Sequence, residues 1–211
     1  MPDQPAPPSK RASRLALAVV ALAGFADAIS FLQFNKLYVS FMSGNTTALG
    51  VAAAAADWSK AGLLALVLVL FVAGVMLGAW LHQASRLPAT TVLAVVGGLL
   101  ALAAAGLPSK LPLFALVLSM GILNAAISQP GRSPLTLTYV TGALVKVGNG
   151  LFDRLSGKPL PDDWSRQVLD WLALAAGAVL GAAAWHWLGL RVLLGAAAWA
   201  LLLALLARRG E

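Results

Sequence analysis

The feature that most constrains this chain is a series of apolar stretches, each close to twenty residues long, separated only by short breaks. They fall at approximately residues 15–34, 38–57, 61–83, 89–107, 111–129, 135–152, 166–187 and 189–208. A transmembrane α-helix needs about 20 mostly apolar residues to cross the hydrocarbon layer of a bilayer. The pattern therefore predicts an all-α fold, a polytopic membrane helical bundle of 6–8 segments in which residues 15–209 form a single integral membrane domain.

Composition agrees with this class and excludes several others. Hydrophobic residues make up 60% of the chain and charged residues only 11%, whereas soluble domains carry about 25% charged residues. The chain has no cysteine, which excludes disulfides, thiolate metal sites and cysteine nucleophiles. The net charge of +7 comes from lysines and arginines that stand singly between apolar stretches or at the termini. Without a basic stripe, nucleic acid is not an expected partner, whereas the lipid bilayer is.

The first fourteen residues are polar and proline-rich, and residues 1–14 are predicted to form a disordered cytoplasmic tail. An alternative is a signal peptide, with Lys10, Arg11 and Arg14 before the apolar run and Ala26–Ala28 as the cleavage site. A retained helix is favoured because this segment belongs to the repeat described next. The distribution of lysine and arginine predicts a multi-pass protein of the cell inner (plasma) membrane with both termini in the cytoplasm.

Three short patterns recur in the same order in the two halves of the chain. The matching pairs are Gly24–Ala28 with Gly121–Ala125, Phe41–Gly50 with Tyr139–Gly148, and Ala73–His82 with Ala176–His186, at spacings of 97, 98 and 103 residues. Because the three pairs are collinear, they predict a tandem duplication, with repeat one at about 15–107 and repeat two at about 111–208.

The relative orientation of the repeats depends on the two most polar segments, 38–57 and 135–152. If both segments span, there are eight helices and parallel repeats. If both re-enter, there are six spans and the inverted repeats that are common in transporters. The two topologies divide the lysines and arginines equally well, eleven inside and four outside. The length of the second segment, about 20 residues, favours eight spans.

Asp27 is the sharpest functional signal in the chain. It is the thirteenth residue of its apolar stretch, so it is expected near the middle of the membrane, where a carboxylate costs about 2.5–3.5 kcal/mol on insertion scales. Such residues mark ion or proton pathways, or else hydrogen-bond neighbouring helices in a structural role. The matching position in the second half is Asn124, which has a similar shape and no charge.

The second signal is a cluster of small polar residues in the second segment and its weaker counterpart in the sixth. We predict that these residues, together with Asp27 and Asn124, bind a substrate or an ion: Ser43, Gly44, Asn45, Thr46, Thr141 and Gly142. An unwound turn at Gly44, with freed backbone groups satisfied by the neighbouring hydroxyls, would suit ion coordination. The alternative is a close helix–helix contact. Asn45 has Ala143 as its counterpart and is favoured as a polar lining residue.

Two further glycine pairs have the spacing of close helix crossings. They are Gly74 with Gly78, and Gly177 with Gly181. Small residues four positions apart let two helix backbones approach closely, so these glycines predict helix packing. The spacing does not distinguish packing of the two halves from packing of two protomers.

No arrangement typical of an enzyme or of a cofactor site is present in the sequence. There is no Ser-His-Asp set at helical spacing, no metal-ligand motif and no phosphate-binding loop. An intramembrane hydrolase that used Asp27 would need a second carboxylate at similar depth, and the other acidic residues lie at segment ends, in loops or in the tail. We therefore expect neither enzymatic activity nor a metal or other cofactor.

Two long stretches, GFADAISFLQFNKLYVSFMSGNTTALG and GILNAAISQPGRSPLTLTYVTGALVKVG, resemble the YoaK-like family of bacterial inner-membrane proteins, a domain of unknown function. The positions that match are Gly24, Asp27, Ala28, Ser30, Phe31, Gly44, Asn45, Thr46, Gly121, Asn124, Ala125, Thr138, Tyr139, Val140, Thr141 and Gly142. Ser43 replaces the usual threonine of the turn. The resemblance covers nearly the whole chain after the tail and implies an inner-membrane location, but no established substrate.

Two functions follow from these residues. The first is a small transporter or channel for a small solute or ion, with a polar midplane site between the two repeats. The alternative is a non-transporting membrane assembly or sensor module, which would present a small-residue face at 73–82 or 176–186 to another protein. A chain of 211 residues is small for enclosing a complete pathway, so a homodimer is an expected partner arrangement.

Overall fold

The described residues of the computed structural model, 10–85, 88–105, 110–127 and 140–208, form eight α-helices and one short 3-10 helix and contain no strand. The α-helices are α1 (Lys10–Gln33), α2 (Met42–Ala54), α3 (Trp58–Ala84), α4 (Pro88–Ala104), α5 (Leu111–Ile127), α6 (Val140–Leu155), α7 (Trp164–Leu188) and α8 (Val192–Arg208), with the 3-10 helix at Gly189–Arg191. The predicted all-α membrane helical bundle is confirmed.

Local chemistry explains where several of these helices begin and end. The Asp57 side chain accepts a hydrogen bond from the Lys60 backbone N–H at 3.0 Å, which caps the N-terminus of α3. Gly189 has a φ of 54° and ends α7, a backbone conformation that glycine adopts at little cost. At the other end of the chain, α1 begins at Lys10, so residues 10–14 are helical although their composition assigns them to the tail. Residues 1–9 of that predicted tail lie outside the described residues.

The second polar segment is a short helix, not the span of about 20 residues that its length in the sequence suggests. Only 13 residues, Met42–Ala54, are helical in α2, which corresponds to about 20 Å of helix. The hydrocarbon layer is about 30 Å thick. The preceding residues 34–41 form a non-helical connector, in which Asn35 and Lys36 have positive φ angles of 52° and 66°. The main reason for favouring eight spans is therefore wrong.

Helices α1 and α7 lie side by side in van der Waals contact of their backbones. A Cβ placed on Gly177 would meet the Ala21 carbonyl oxygen at 2.0 Å, and one on Gly181 would meet the Phe25 carbonyl oxygen at 2.6 Å. The residue numbers of the contacts increase together in the two helices, from 21 and 177 to 25 and 181. The two helices therefore run parallel. Glycine is required at these contacts because any side chain would separate the helices.

Helices α3 and α5 form a second parallel pair with the same contacts. A Cβ on Gly74 would meet the Leu118 carbonyl oxygen at 2.6 Å, and one on Gly78 would meet the Ile122 carbonyl oxygen, also at 2.6 Å. Each glycine lies 103 residues before its equivalent in α7, and each carbonyl lies 97 residues after its equivalent in α1. The spacings of the sequence patterns therefore recur in the contacts between helices.

Helix α4 packs against α8, and this pair is antiparallel. Thr90 donates a hydrogen bond to the Ala204 carbonyl oxygen at 3.3 Å. Further along α4, a Cβ on Gly97 would meet Leu201 at 2.9 Å and the Ala197 carbonyl oxygen at 3.3 Å. As the residue number rises in α4 it falls in α8, so these two helices, which are equivalent in the predicted repeats, run in opposite directions.

The helix directions show that α2 does not carry the chain from one end of the bundle to the other. The 3-10 helix Gly189–Arg191 contacts both α1 and α4. Because α1 is parallel to α7 and α4 is antiparallel to α8, the C-terminal ends of α1 and α4 both lie at this end of the bundle. The C-terminus of α3 lies beside the N-terminus of α4, where the Ser85 and Thr91 hydroxyls are hydrogen-bonded at 2.7 Å. The N-terminus of α3 is therefore at the same end as the C-terminus of α1.

The glycine contacts predict a matched pair of stability effects. Gly177→Ala and Gly74→Ala each place a methyl group against a backbone carbonyl that cannot rotate away, so each should cost about 1–3 kcal/mol, the usual cost of overpacking. Gly98→Ala in α4 is the control, because a Cβ there meets nothing within 4 Å. Unfolding followed by tryptophan fluorescence in detergent should show two destabilised variants and an unaffected control. Equal stability of all three variants would contradict the close contacts.

Candidate functional site

Asp27 uses both carboxylate oxygens to hold the connector between α1 and α2. Its Oδ1 accepts hydrogen bonds from the backbone N–H groups of Val39 at 2.7 Å and Ser40 at 2.8 Å. Its Oδ2 accepts one from the Ser40 hydroxyl. Residues 39 and 40 are not helical, so their N–H groups need side-chain partners once they are removed from water. These donors, with the Phe41 backbone N–H as a fourth, stabilise the negative charge of the carboxyl group in an apolar setting.

Asn45 binds the same connector from α2. Its Oδ1 accepts a hydrogen bond from the Tyr38 N–H at 3.1 Å, and its Nδ2 donates one to the Tyr38 carbonyl at 2.7 Å. The side chain of Asn45 is buried and thus replaces the backbone partner that Tyr38 would have in regular structure. Asp27 and Asn45, predicted to be site residues, are brought together through three consecutive connector residues, 38–40.

A cavity of about 380 Å³ lies next to this connector, between the two halves of the chain. Its described lining comes from α1, the connector, α6 and α7, and consists of Gly24, Asp27, Ala28, Phe31, Leu32, Tyr38, Ser40, Phe41, Thr141, Leu144, Leu174, Ala178 and Ala182. Leu32, Phe41 and Leu144 are exposed and mark the opening of the cavity. Asp27 is partly exposed there, whereas Ser40 is buried. The cavity therefore has an apolar wall with one carboxylate in it.

Asp27 lies near the middle of its apolar helix. The apolar part of α1 runs from Ser13 to Gln33, with residue 23 at its centre. Asp27 is four residues further on, which is about 6 Å along the helix axis. At its far end, α1 is tied to α7 by a hydrogen bond of 3.2 Å from the Trp185 indole N–H to the Gln33 side chain.

The second half of the chain contributes Thr141 and Leu144 to the cavity through α6. This helix is held against α7 by the Trp164 indole N–H, which donates to the Val147 carbonyl at 3.0 Å. Gly150 allows the approach, because a Cβ there would meet the Trp164 ring at 2.2 Å. Lys146 and Asp163 add an exposed ion pair at 3.3 Å. These contacts place the first turn of α6 beside the carboxylate of α1.

Only two of the predicted binding residues, Asp27 and Thr141, line the cavity. The predicted unwound turn at Gly44 is wrong, because Ser43, Gly44 and Thr46 lie in the regular helix α2. The Thr46 hydroxyl donates to the Met42 carbonyl of its own helix at 2.9 Å. Gly44 instead faces the Phe41 ring, where a Cβ would meet Cδ1 at 2.7 Å. The non-helical backbone precedes the glycine and spans residues 34–41.

Asn124 and Gly142 are not among the described lining residues of the cavity. Asn124 is buried in α5, where its Nδ2 donates to the Met120 carbonyl at 2.9 Å. The segment 128–139, which corresponds to the connector in the predicted repeat, lies outside the described residues, and so do Thr138 and Tyr139 of the resemblance. The four packing glycines, by contrast, lie at the α1–α7 and α3–α5 contacts.

The polar and aromatic lining residues that are absent from the predicted set are Phe31, Tyr38, Ser40 and Phe41. The aromatic rings contact one another, with centroids 5.3 Å apart both for Phe31 with Tyr38 and for Tyr38 with Phe41. The signal was the density of aromatic residues in SFLQFNKLYVSF directly after Asp27. The same density is typical of apolar helices, and periodicity alone does not reveal a connector that folds back on α1.

The connector contacts predict a specific stability effect at Asn45. Asn45→Ala leaves the Tyr38 N–H and carbonyl without partners and should destabilise the fold by about 1–3 kcal/mol. The control Thr46→Ala removes an exposed hydroxyl from the same helix and should have little effect. Hydrogen exchange should show loss of protection at residues 38–40 in Asn45→Ala alone. Unchanged protection there would refute the role assigned to Asn45.

Comparison with known proteins places this chain in an uncharacterised membrane family. A family model described as "Protein of unknown function (DUF1275)" matches residues 15–206. A UPF0700 transmembrane protein of Rhizobium meliloti (strain 1021) is 38% identical over 183 residues, which cover 82% of this chain and 77% of that protein. No solved structure matches the chain. The resemblance to an uncharacterised membrane family is confirmed: the chain belongs to the DUF1275 family.

Proposed function

We propose that this protein is a small transporter or channel for a small solute or ion, with Asp27 at its binding site. The observation that supports this most directly is the cavity in which a carboxylate from the middle of α1 faces Thr141 and Leu144 of the other half. A charged group at this depth is costly, and such groups in membrane helices characteristically serve ion, proton or substrate pathways. The hydrogen bonds to Val39 and Ser40 give Asp27 a structural part as well, since they also hold the connector.

The proposed topology has six membrane crossings, made by α1, α3, α4, α5, α7 and α8. The antiparallel α4–α8 pair and the position of α2 support it, because eight crossings would make α4 and α8 parallel. Three crossings in each half turn the second half upside down relative to the first, which gives inverted repeats related by a pseudo-two-fold axis. The matching glycine contacts of α1 with α7 and α3 with α5 are those expected of such an axis.

Inverted repeats suit transport for a physical reason. Two halves of the same fold and opposite orientation can exchange their conformations, so that a site between them opens first to one side of the membrane and then to the other. The cavity lies between the two halves, as this mechanism requires. We place the protein in the inner (plasma) membrane with both termini in the cytoplasm, on the basis of the lysine and arginine distribution.

The rival function, a non-transporting assembly or sensor module, has less support. Its distinguishing feature was a small-residue face at 73–82 or 176–186 available to another protein. Gly74, Gly78, Gly177 and Gly181 are instead buried against α5 and α1 of the same chain. We still propose a homodimer, formed through surfaces other than these glycines. We propose no enzymatic activity, metal, other cofactor or nucleic-acid partner.

The topology can be tested by cysteine labelling, because the natural chain contains no cysteine. Single cysteines are introduced as Ala55→Cys before α3, Ala84→Cys at its end, and Gly210→Cys as a reference at the C-terminus. With a membrane-impermeant maleimide on intact cells, six crossings predict Ala84→Cys on the side of the reference and Ala55→Cys on the opposite side. Eight crossings would reverse the two results.

Transport can be tested with purified protein in liposomes on a solid-supported membrane. Concentration jumps of protons, sodium, potassium, ammonium and tetramethylammonium provide the probes. We expect a protein-dependent current for at least one of them, reduced at least tenfold in Asp27→Asn and unchanged in the control Asp162→Asn, which alters an exposed carboxylate. Folding is checked by elution profile and thermal stability. No current with any probe, or full current in a folded Asp27→Asn variant, would contradict the proposed function.

A further inference from the structure

The walls of the Asp27 cavity have a chemistry that selects the charge of a ligand. Asp27 is the one acidic residue among the described lining residues, and these include no lysine, arginine or histidine that would offset its charge. The carboxylate accepts hydrogen bonds from the Val39, Ser40 and Phe41 backbone N–H groups and from the Ser40 hydroxyl, which together use the roughly four acceptor positions that it offers. The one formal charge on the described lining is therefore negative, which disfavours an anion and favours a cation.

The same walls are unsuited to a small inorganic cation. Such ions need several oxygen ligands in place of their water shell, as the six or more around Ca²⁺ illustrate. The described lining offers oxygen-bearing side chains only at Asp27, Tyr38, Ser40 and Thr141, and the Ser40 hydroxyl is already bonded to Asp27. Its other side chains are apolar or aromatic. A cation whose charge is spread over alkyl groups has less hydration to lose in such a cavity.

Aromatic rings supply the remaining requirement of an organic cation. Phe31, Tyr38 and Phe41 all line the cavity and form one continuous cluster, in which the rings of Tyr38 and Phe41 meet edge to face at 81°. Ring faces attract quaternary ammonium groups electrostatically, and the attraction grows when water is excluded. A carboxylate beside several rings is the combination that would bind an ammonium head and an apolar substituent together.

We propose that the cavity binds a small organic monocation of the substituted-ammonium class, with its charge between Asp27 and the aromatic cluster of Phe31, Tyr38 and Phe41. The volume of about 380 Å³ lies at the lower end of the range for small-molecule sites and sets the size of the ligand. As the identity of a transported substrate, this inference rests on the proposed function. As a binding site, it stands on the cavity alone.

The test is equilibrium binding of radiolabelled phenyltrimethylammonium to the full chain in lipid nanodiscs. We expect saturable binding that unlabelled tetraethylammonium displaces and that benzoate does not. Asp27→Asn should weaken binding at least tenfold. Phe31→Leu and Phe41→Leu, which remove a ring and keep an apolar side chain, should each weaken it by about 3- to 10-fold, the range of one cation–π contact. Phe152→Leu on the exposed surface of α6 is the control and should bind normally.

Two features of this binding experiment let it decide whether the cavity binds an organic cation. If Asp27→Asn does not fold, the ring variants still test the site, because normal binding by folded Phe31→Leu and Phe41→Leu would overturn it. Absence of saturable binding by the natural protein would also overturn it. Binding is measured without transport, so the two proposals fail separately. Current from another probe without ammonium binding refutes only the ligand class, and ammonium binding without any current refutes only the transporter.

Discussion

The arrangement of this bundle depends on glycines at which one helix backbone touches another without an intervening side chain. Gly177 and Gly181 bring α7 onto α1, while Gly74 and Gly78 bring α3 onto α5. Between apolar helices in lipid there is little hydrophobic drive for association, so close van der Waals packing of this kind has a large share in holding them. The cavity lies along the first of these contacts, since Gly24 and Leu174 belong to both.

The connector between α1 and α2 is where structure and function meet. Backbone that is neither helical nor in contact with water must find side-chain partners, and Asp27 of α1 and Asn45 of α2 supply them. The consequence is that Tyr38, Ser40 and Phe41 are fixed against α1 and form one wall of the cavity. The carboxylate that organises this wall is also the group that we propose as the ligand contact. A solute that binds there would act on the same hydrogen bonds that hold the connector, which couples occupancy of the site to the position of α2.

Much of the fold could be predicted from the sequence, because apolar segments of about twenty residues have few alternatives to membrane helices. The structure of the polar segments was harder to predict. The composition of residues 38–57 fits a span, yet only Met42–Ala54 is helical, because Asp27 and Asn45 stabilise a connector that local sequence does not encode. For the same reason the depth of Asp27 could be predicted and its hydrogen-bond partners could not. The sequence predicts an unwound helix turn at Gly44, whereas the small size of this residue accommodates the Phe41 ring within a regular helix.

We propose that a solute binds in the cavity beside Asp27 on its way across the membrane. The most direct measurement is the rate at which a thiol reagent labels Leu144→Cys, a position at the opening of the cavity and outside the polar groups. With increasing phenyltrimethylammonium in proteoliposomes, we predict a saturable fall in this rate when Asp27 is present and no fall in the Asp27→Asn background. A labelling rate that ignores the cation in both backgrounds, or falls equally in both, would contradict the claim.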